Sequence, residues 1–163
     1  MARADARVLI LGSLPGARSI AEDQYYAHPR NAFWTILQTL TGVSPGASYS
    51  ARVEGLVAAR IALWDVCAEA VRPGSLDADI AVPSVRPNDI KGFLRAHPGV
   101  ALIALNGGTA SRLFRRLVSP SLTGAAALVR TVSLPSTSPA HAARSLAEKR
   151  ATWCEAIRPI LLP

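Results

Sequence analysis

A short buried strand that stops in a glycine-rich turn is the strongest constraint on how this chain folds. Residues 8–11 are four consecutive apolar side chains, too few for a helix and apolar throughout, as in a strand covered on both faces. The turn Gly12-Ser13-Leu14-Pro15-Gly16 follows at once. Its glycines permit backbone angles closed to other residues and let the backbone approach a ligand closely. In an open parallel sheet, ligands bind at this carboxyl end of a strand.

Three further apolar runs predict the rest of a sheet, and helical segments separate them. The predicted strands are 8–11, 61–66, 100–105 and 128–134, and the predicted helices are 31–40, 51–60, 90–97, 109–118 and 142–157. Because strands and helices alternate and crossovers are right-handed, we expect an α/β fold, a three-layer α/β/α sandwich with a central four-stranded parallel sheet. The length of 163 residues fits one domain over 1–163. Leu146, Trp153 and Ile157 of the last helix are expected to pack on the sheet.

The net charge of +7 is unevenly distributed. Residues 90–147 contain no Asp or Glu, and all seven of their charged side chains are basic: Lys91, Arg95, Arg112, Arg115, Arg116, Arg130 and Arg144. Such a half favours contact with a polyanion such as a nucleic acid. The alternative is an ordinary solvated surface whose arginine content reflects coding bias.

Two cysteines, Cys67 and Cys154, are too few for a four-cysteine zinc or iron–sulfur site, so no such site is expected. Two small buried hydrophobic residues are a better interpretation than a disulfide. The first apolar run is too short for a signal peptide, and no run reaches the length of a membrane span. We expect a soluble, cytoplasmic monomer.

An unusual concentration of large polar and aromatic side chains occupies residues 25–31, Tyr-Tyr-Ala-His-Pro-Arg-Asn. A loop needs none of these merely to connect two elements. Aromatic faces beside an amide and a cation suit a flat heterocycle held by stacking and edge hydrogen bonds, with a phosphate nearby.

Three motifs together resemble the uracil-DNA glycosylase superfamily, and within it the hypoxanthine-DNA (deoxyinosine) glycosylase branch. They are Gly-Ser-Leu-Pro-Gly at 12–16, Tyr-Tyr-Ala-His-Pro-Arg-Asn-Ala-Phe-Trp at 25–34 and Leu-Pro-Ser-Thr-Ser-Pro-Ala at 134–140. The resemblance implies a monofunctional DNA glycosylase that flips out and hydrolytically excises uracil, hypoxanthine or both. DNA with deaminated bases would be its partner, and no metal would be needed. A Gly-Ser-Leu-Asp segment at 74–77 also resembles the family, but these residues indicate no role for it.

The resemblance also implies which residues handle water. Many superfamily members place a water-activating Asn or Asp in the first turn, where this chain has Ser13, which cannot act as a carboxylate base. In the hypoxanthine branch the asparagine of the second motif takes this role, and here that residue is Asn31. The alternative for Asn31 is to cap the following helix. Asp65, at the end of the second strand, is a reserve base or forms a structural hydrogen bond.

A second group of residues is predicted to bind the extruded base. Gly12 and Leu14 of the first turn belong to it, and Tyr26 is expected to stack on the base, although Tyr25 is an alternative stacker. Asn106, after the third strand, offers a donor and an acceptor that suit the amide edge of uracil or hypoxanthine, or it is a turn residue with a satisfied side chain. His28 approaches a phosphate or the base, or forms a structural hydrogen bond.

The loop after the fourth strand is predicted to grip DNA with hydroxyls and backbone amides. Its proposed DNA-binding residues are Ser136, Thr137, Ser138, Pro139, Ala140 and His141. Relatives that open this motif with a histidine use it to stabilise the anionic base, but this chain has Leu134-Pro135-Ser136 there. Stabilisation must then come from backbone amides, from Asn106 or from another side chain.

Other classes of function remain as alternatives. A non-catalytic protein that binds damaged or abasic DNA would bind without releasing a base. A nucleotide-handling enzyme with a doubly wound fold is weakened by the absence of Gly-x-Gly-x-x-Gly and Walker sequences. A serine hydrolase is disfavoured because Ser13 lacks the Gly-x-Ser-x-Gly elbow.

Overall fold

The computed structural model describes residues 1–74 and 76–162 of the chain. Over these residues it has six strands: β1 (Val8–Gly12), β2 (Ile61–Asp65), β3 (Cys67–Glu69), β4 (Arg86–Pro87), β5 (Leu102–Asn106) and β6 (Arg130–Leu134). It has six α-helices: α1 (Ala17–Ala21), α2 (Phe33–Thr41), α3 (Tyr49–Ala58), α4 (Ile90–Ala96), α5 (Gly108–Leu113) and α6 (Leu146–Leu161). Five residues with π-helical bonding, Phe114–Val118, extend α5.

Four parallel strands form the main sheet in the order β2-β1-β5-β6, which confirms the predicted sheet. β1 and β5 are central and buried along their whole length. Successive side chains of a strand point to opposite faces of the sheet, so each strand contributes to two hydrophobic layers. The uninterrupted apolar runs thus follow from burial on both faces.

Helices cover both faces of the sheet. One hydrophobic layer joins Leu9 and Leu11 to α4 and α5, and the other joins Val8 and Ile10 to α2, α3 and α6. Trp153 and Ile157 of α6 are fully buried in the second layer, as expected. The architecture is therefore the predicted three-layer α/β/α sandwich. None of the helices in the described part of the chain is both long and apolar enough to cross a membrane.

Helix boundaries differ from the predictions where side chains cap the backbone. α2 begins at Phe33 rather than at residue 31: its N-cap is Ala32, which makes no side-chain cap, and the Phe33 N–H donates to Asn31 Oδ1. α6 begins at Leu146 rather than at residue 142, because Ser145 and Glu148 form a capping box. The expectation that Leu146 packs on the sheet was wrong: it lies in the first turn and is 44% exposed.

The segment between β2 and α4 forms a small second sheet that the sequence did not predict. β3 and β4 pair antiparallel. The backbone beside them is tied to the first turn, since the N–H groups of Val66 and Cys67 donate to the carbonyls of Gly12 and Ser13 at 2.9 and 3.0 Å. The loop-rich segment that follows Cys67 thereby begins at the carboxyl edge of the main sheet.

Candidate active site

The ends of the four parallel strands bring the predicted site residues into one row. Gly12 of β1 is in register with Asp65 of β2, and Asn106 of β5 is in register with Leu134 of β6. β1 and β5 are paired neighbours, so the row is continuous across the sheet. The turns after β1, β5 and β6 therefore meet at one edge, as predicted for active-site loops in this fold.

Asn106 connects this row to two loops. Its Nδ2 donates to the Tyr26 hydroxyl at 2.9 Å and to Thr137 Oγ1 at 3.0 Å, and its Oδ1 accepts from the Thr137 N–H at 3.0 Å. Both amide hydrogens are used, which leaves one lone pair of Oδ1 for a ligand. The Asn106 side chain is therefore hydrogen-bonded within the protein, which is the alternative given in the sequence analysis. Base recognition by Asn106 stays a prediction.

Tyr26 lies between the row and the core. Its ring stacks on Phe33 with centroids 4.0 Å apart. Burial and the nearby Asp65 carboxylate raise the pKa of its hydroxyl, so the phenol stays neutral. Its φ of 55° is left-handed, which is unfavourable for an aromatic residue and is maintained only where surrounding contacts determine it.

Contacts to Tyr25 help to maintain the left-handed backbone of Tyr26. Its N–H donates to the Tyr49 hydroxyl at 3.0 Å, and its carbonyl accepts from Trp34 Nε1 at 2.9 Å. The Arg52 guanidinium lies over the rings of both partners, 4.8 Å from Trp34 and 5.5 Å from Tyr49. Residues of α2 and α3 thus fix the backbone immediately before Tyr26.

Asp65 is a buried carboxyl, 5% exposed, at the end of β2. Burial raises its pKa to about 7, and the Asp77 carboxylate adds to the rise, whereas the nearby Tyr25 hydroxyl and the positive charge of Arg72 oppose it. A carboxyl with this pKa exchanges protons near neutrality, as acid–base groups in active sites do.

Gly12 is required by the close approach of Asp65 and not by its backbone angles. A Cβ atom at residue 12 would lie 2.4 Å from Asp65 Oδ1 and 3.0 Å from the Tyr26 hydroxyl. The expectation that Gly12 and Gly16 take angles closed to other residues was wrong. The glycines of the described residues with positive φ are Gly42, Gly107 and Gly124.

Ser13 is also buried, and it faces an acid. Its hydroxyl donates to Asp77 Oδ2 at 2.5 Å. Leu14 is partly exposed and packs on the hydrophobic layer beneath the turn. Arg72 donates to the carbonyls of Leu14 and Pro15, at 3.5 and 2.6 Å, so Arg72 and Asp77 both hold the turn from the same side.

Asn31 and His28 lie in the second motif, next to this group. Asn31 Oδ1 accepts from the Phe33 N–H at 3.0 Å, which is the capping role weighed in the sequence analysis, while Nδ2 has no partner among the described residues. His28 Nδ1 accepts from the Arg30 N–H at 3.1 Å, in keeping with a structural hydrogen bond. The Ala32 N–H donates to the Thr137 carbonyl at 3.0 Å, so Asn31 adjoins the last loop.

The loop at 135–141 is anchored from below by Thr137, which is 1% exposed. A DNA contact by the Thr137 side chain would require the loop to move, whereas Pro139 and Ala140 are exposed and Ser136, Ser138 and His141 are partly so. Gly107, with φ of +96°, allows the loop to lie against the end of β5, because a Cβ there would be 2.8 Å from the Ser136 Cβ.

Lys149 of α6 supports the other end of this loop. Its Nζ donates to the carbonyl of His141 at 2.7 Å and to that of Ser138 at 3.5 Å. The residue is 5% exposed, and burial lowers the pKa of its ammonium. No carboxylate among the described residues forms a salt bridge with it. His141 Nδ1 is buried and has no hydrogen-bond partner in the described part of the chain.

The acid-free half exposes most of its cations. Arg95, Arg112, Arg115, Arg116, Arg130 and Arg144 are exposed, and Lys91 is partly so. In the described parts of the chain, every salt bridge involves a cation outside this half. No group of three or more His, Cys, Asp or Glu side chains in residues 1–74 and 76–162 has the arrangement of a metal site.

The structure thus brings Gly12, Ser13, Tyr26, Asp65 and Asn106 together and places Asn31 and the 136–141 loop beside them. Sequence reasoning assigned no role to three further residues: Arg72, Asp77 and Lys149. A Gly-Ser-Leu-Asp segment was the signal for Asp77. The lysine in an amphipathic helix gave no signal, because its burial depends on the loop that folds over it.

Comparison with known proteins identifies the family. The model of the uracil DNA glycosylase superfamily matches residues 1–161. Two similar proteins are named hypoxanthine DNA glycosylase. One, from Methanosarcina barkeri, is 33% identical over 94% of this chain and 92% of its own length, and one, from Methanosarcina acetivorans, is 34% identical over 94% and 90%.

A solved structure gives the same result. The solution NMR structure of a proposed uracil DNA glycosylase from Methanosarcina acetivorans superposes with a TM-score of 0.73, at 31% sequence identity, over 94% of this chain and 92% of that one. Fold, length and sequence agree across nearly the whole molecule. The chain belongs to the uracil DNA glycosylase superfamily.

Proposed function

We propose that this protein is a monofunctional DNA glycosylase that excises deaminated bases, with hypoxanthine as the leading substrate and uracil as the second. The observation that carries the proposal is the family match over residues 1–161, together with relatives that are named hypoxanthine DNA glycosylase. The reaction hydrolyses the bond between base and sugar. It needs a site for the flipped base, a positioned water, and stabilisation of both the cationic sugar and the departing base.

Base flipping comes first. Rotating a nucleotide out of the duplex costs a few kcal/mol, less for a mispaired deaminated base. A base stacked on Tyr26 would use the ring face opposite Phe33, and such stacking is worth about 1–3 kcal/mol. Because the Tyr26 ring is fixed by Phe33 and by the Asn106 hydrogen bond, little freedom would be lost on binding.

Asn31 is the proposed water-positioning residue. Its Oδ1 has a second lone pair beyond the one that caps α2, and its Nδ2 is not committed to a partner among the described residues. An amide abstracts a proton poorly, but it can orient a water when the bond to the base breaks before the water is deprotonated. Capping and water binding are therefore compatible in one side chain.

The departing base would be stabilised by hydrogen bonds from the last two loops. The free lone pair of Asn106 Oδ1 can accept from the ring N–H next to the carbonyl in hypoxanthine or uracil, which would recognise the base, whereas negative charge on the departing base needs donors. The backbone amides of the 135–141 loop are the proposed donors to the base or to a phosphate, and the buried His141 Nδ1 could join them only if the loop moved. These contacts would replace the histidine that opens the motif in other relatives.

The test of activity uses purified protein and matched oligonucleotides with hypoxanthine, uracil, xanthine or an ordinary base, as duplexes and as single strands. Abasic sites are cleaved with alkali and the fragments are resolved. We expect release of hypoxanthine above all others. Binding to these DNAs without strand scission, by folded protein, would instead favour a non-catalytic damage-binding protein.

Two substitutions separate water positioning by Asn31 from helix capping. Asn31→Ala removes both roles and should lower single-turnover excision by a hundredfold or more, with duplex affinity retained. Asn31→Ser keeps a good cap, whose loss costs about 1 kcal/mol, but lacks the amide, so it should recover stability without recovering excision. Gln38→Ala, at an exposed amide of α2, is the control. Full activity in Asn31→Ser would reduce Asn31 to a capping residue.

A further inference from the structure

A second acid approaches the first turn from the loop-rich segment between β2 and α4. The Ser13 hydroxyl donates to Asp77 Oδ2 at 2.5 Å, although the two residues are 64 positions apart. This is at the short end of O–H···O distances, where charge-assisted hydrogen bonds are found. Ser13 itself is only 6% exposed, whereas the Asp77 side chain is 42% exposed, so the hydroxyl end of the bond is shielded and the carboxylate also faces solvent.

Arg72 holds the acid and the turn together. Its Nη1 lies 3.7 Å from Asp77 Oδ1, and its side chain is 6% exposed. The same guanidinium donates to the carbonyls of Leu14 and Pro15. One hydrogen bond from Ser13 and one ion pair with Arg72 thus hold the carboxylate beside the turn, as is needed for a group that acts on a bound water.

The hydrogen bond to Asp77 decides what Ser13 can offer a ligand. A serine hydroxyl has one hydrogen and two lone pairs, and here the hydrogen is given to the carboxylate. Toward any other group, Ser13 Oγ acts only as an acceptor, with a negative charge directly behind it. Such an oxygen suits the O–H of a water, or the cationic face of a sugar that is losing its base.

We propose that Asp77 is a positioning residue that acts through Ser13, orienting the attacking water and stabilising positive charge on the sugar. The inference rests on the proposed function. In the reaction, the water oxygen bonds to C1′ while the bond from C1′ to the base nitrogen breaks and leaves its electron pair on the base. The water releases one proton and the base takes up one, so the Ser13–Asp77 pair is unchanged at the end.

The competing role for Asp77 is to buttress the turn without acting on the reaction. The two roles differ in what the pair does together. If Asp77 acts through Ser13, then either change alone removes the same effect, and combining them adds little more. A buttress would affect folding and DNA affinity at least as much as the rate.

The experiment measures single-turnover excision of hypoxanthine from a duplex, the dissociation constant for that duplex, and thermal unfolding. The variants are Asp77→Asn, Ser13→Ala, the double variant and Asp79→Asn, a matched control at an exposed acid in the same helical turn. We expect Asp77→Asn and Ser13→Ala each to slow excision about ten- to a hundredfold. The double variant should be no more than about twofold slower than the worse single variant, with affinity within about twofold of wild type.

Two results would overturn the proposal: multiplicative effects of the single changes, or an unchanged rate in Asp77→Asn. Should Asp77→Asn unfold, Asp77→Glu and Ser13→Ala still decide the question, because the longer acid should recover part of the rate only if the carboxylate acts. A wild-type protein that releases no base from any oligonucleotide would overturn the proposed function itself, an outcome that the wild-type measurement separates from the others.

Discussion

The two sides of the candidate site differ in charge. On the β1 and β2 side, the Asp65 and Asp77 carboxylates lie behind the first turn, with Tyr25 and Tyr26 beside them. On the β5 and β6 side, the chain from residue 90 to residue 147 has no acid, and a buried lysine lies under the loop. Hydrolysis of a glycosidic bond creates a cationic sugar and an anionic base beside anionic phosphates. Each side therefore has the charge that suits one of these partners.

Asp65 and Lys149 show the same contrast in single residues. Both are 5% exposed, and neither forms a salt bridge within the described residues. Burial moves the pKa of each toward the neutral form, upward for Asp65 and downward for Lys149. Burial without a salt bridge is costly for an ionisable group, so Asp65 and Lys149 are candidates for functional roles on opposite sides of the site.

The largest expected effect comes from disturbing the acid side at its closest contact. Gly12→Ala places a Cβ within 2.4 Å of Asp65 Oδ1 and 3.0 Å of the Tyr26 hydroxyl, so one of these buried groups must move. We expect excision to fall a hundredfold or more, since misplacement by about 1 Å is worth that much. Gly16→Ala is the matched control in the same turn, where a Cβ meets no atom within 4 Å. Equal activity of the two variants would show that the Asp65 approach is not needed.

Asp65 should make stability depend on pH in the direction opposite to most acids. Its pKa is raised from 3.8 to about 7, so the folded state binds more protons than the unfolded state between these values. The contribution of Asp65 to the free energy of unfolding is greatest below its pKa in the unfolded state, 3.8. This contribution is lost as the pH rises toward its pKa in the folded state, about 7. Between pH 5 and pH 8, the expected loss is about 2–3 kcal/mol.

Denaturant unfolding at several pH values checks this expectation. Wild type should lose about 2–3 kcal/mol more than Asp65→Asn between pH 5 and pH 8, because the amide does not titrate. The titratable and charged groups around Asp65 are the neutral Tyr25 hydroxyl, Asp77, Arg72 and the N-terminus, and the substitution leaves all of them in place. Parallel pH curves for the two proteins would place the titration of Asp65 outside this range.

Sequence patterns predicted the strand ends but not which side chains would touch. Gly12, Asp65 and Asn106 were recognisable because each ends an apolar run, and parallel strands end at one edge of the sheet. The contact between Asp65 and Gly12 depends on the strand order β2-β1-β5-β6, which no local pattern specifies. The bond from Ser13 to Asp77 likewise joins two loops that are far apart in sequence.

One helix boundary that was predicted wrongly, the start of α6, could have been predicted from the sequence. Ser145 and Glu148 have the spacing of a capping box, and their reciprocal hydrogen bonds start α6 at Leu146. Predicting the helix from residue 142 followed helical composition alone. The burial of Lys149 could not be predicted, because a lysine in the first turn of a helix is ordinarily solvated and only the folded loop covers it.

The smallest expected effect concerns the basic side of the site. A comparison of variants of the two lysines of the chain tests it most sharply. Lys149→Met removes the donor to the carbonyls of Ser138 and His141, which should loosen the loop. The unmade hydrogen bonds cost about 1–3 kcal/mol, offset by no longer burying an unpaired ammonium, so thermal stability should change little. Duplex affinity should weaken about tenfold.

Lys91→Met removes the same charge at a partly exposed position of α4 and should weaken binding about twofold. Titrations at several salt concentrations separate the causes: both variants lose one charge, so any difference that persists at high salt belongs to loop geometry. Equal losses that vanish together with salt would leave Lys149 with a purely electrostatic role.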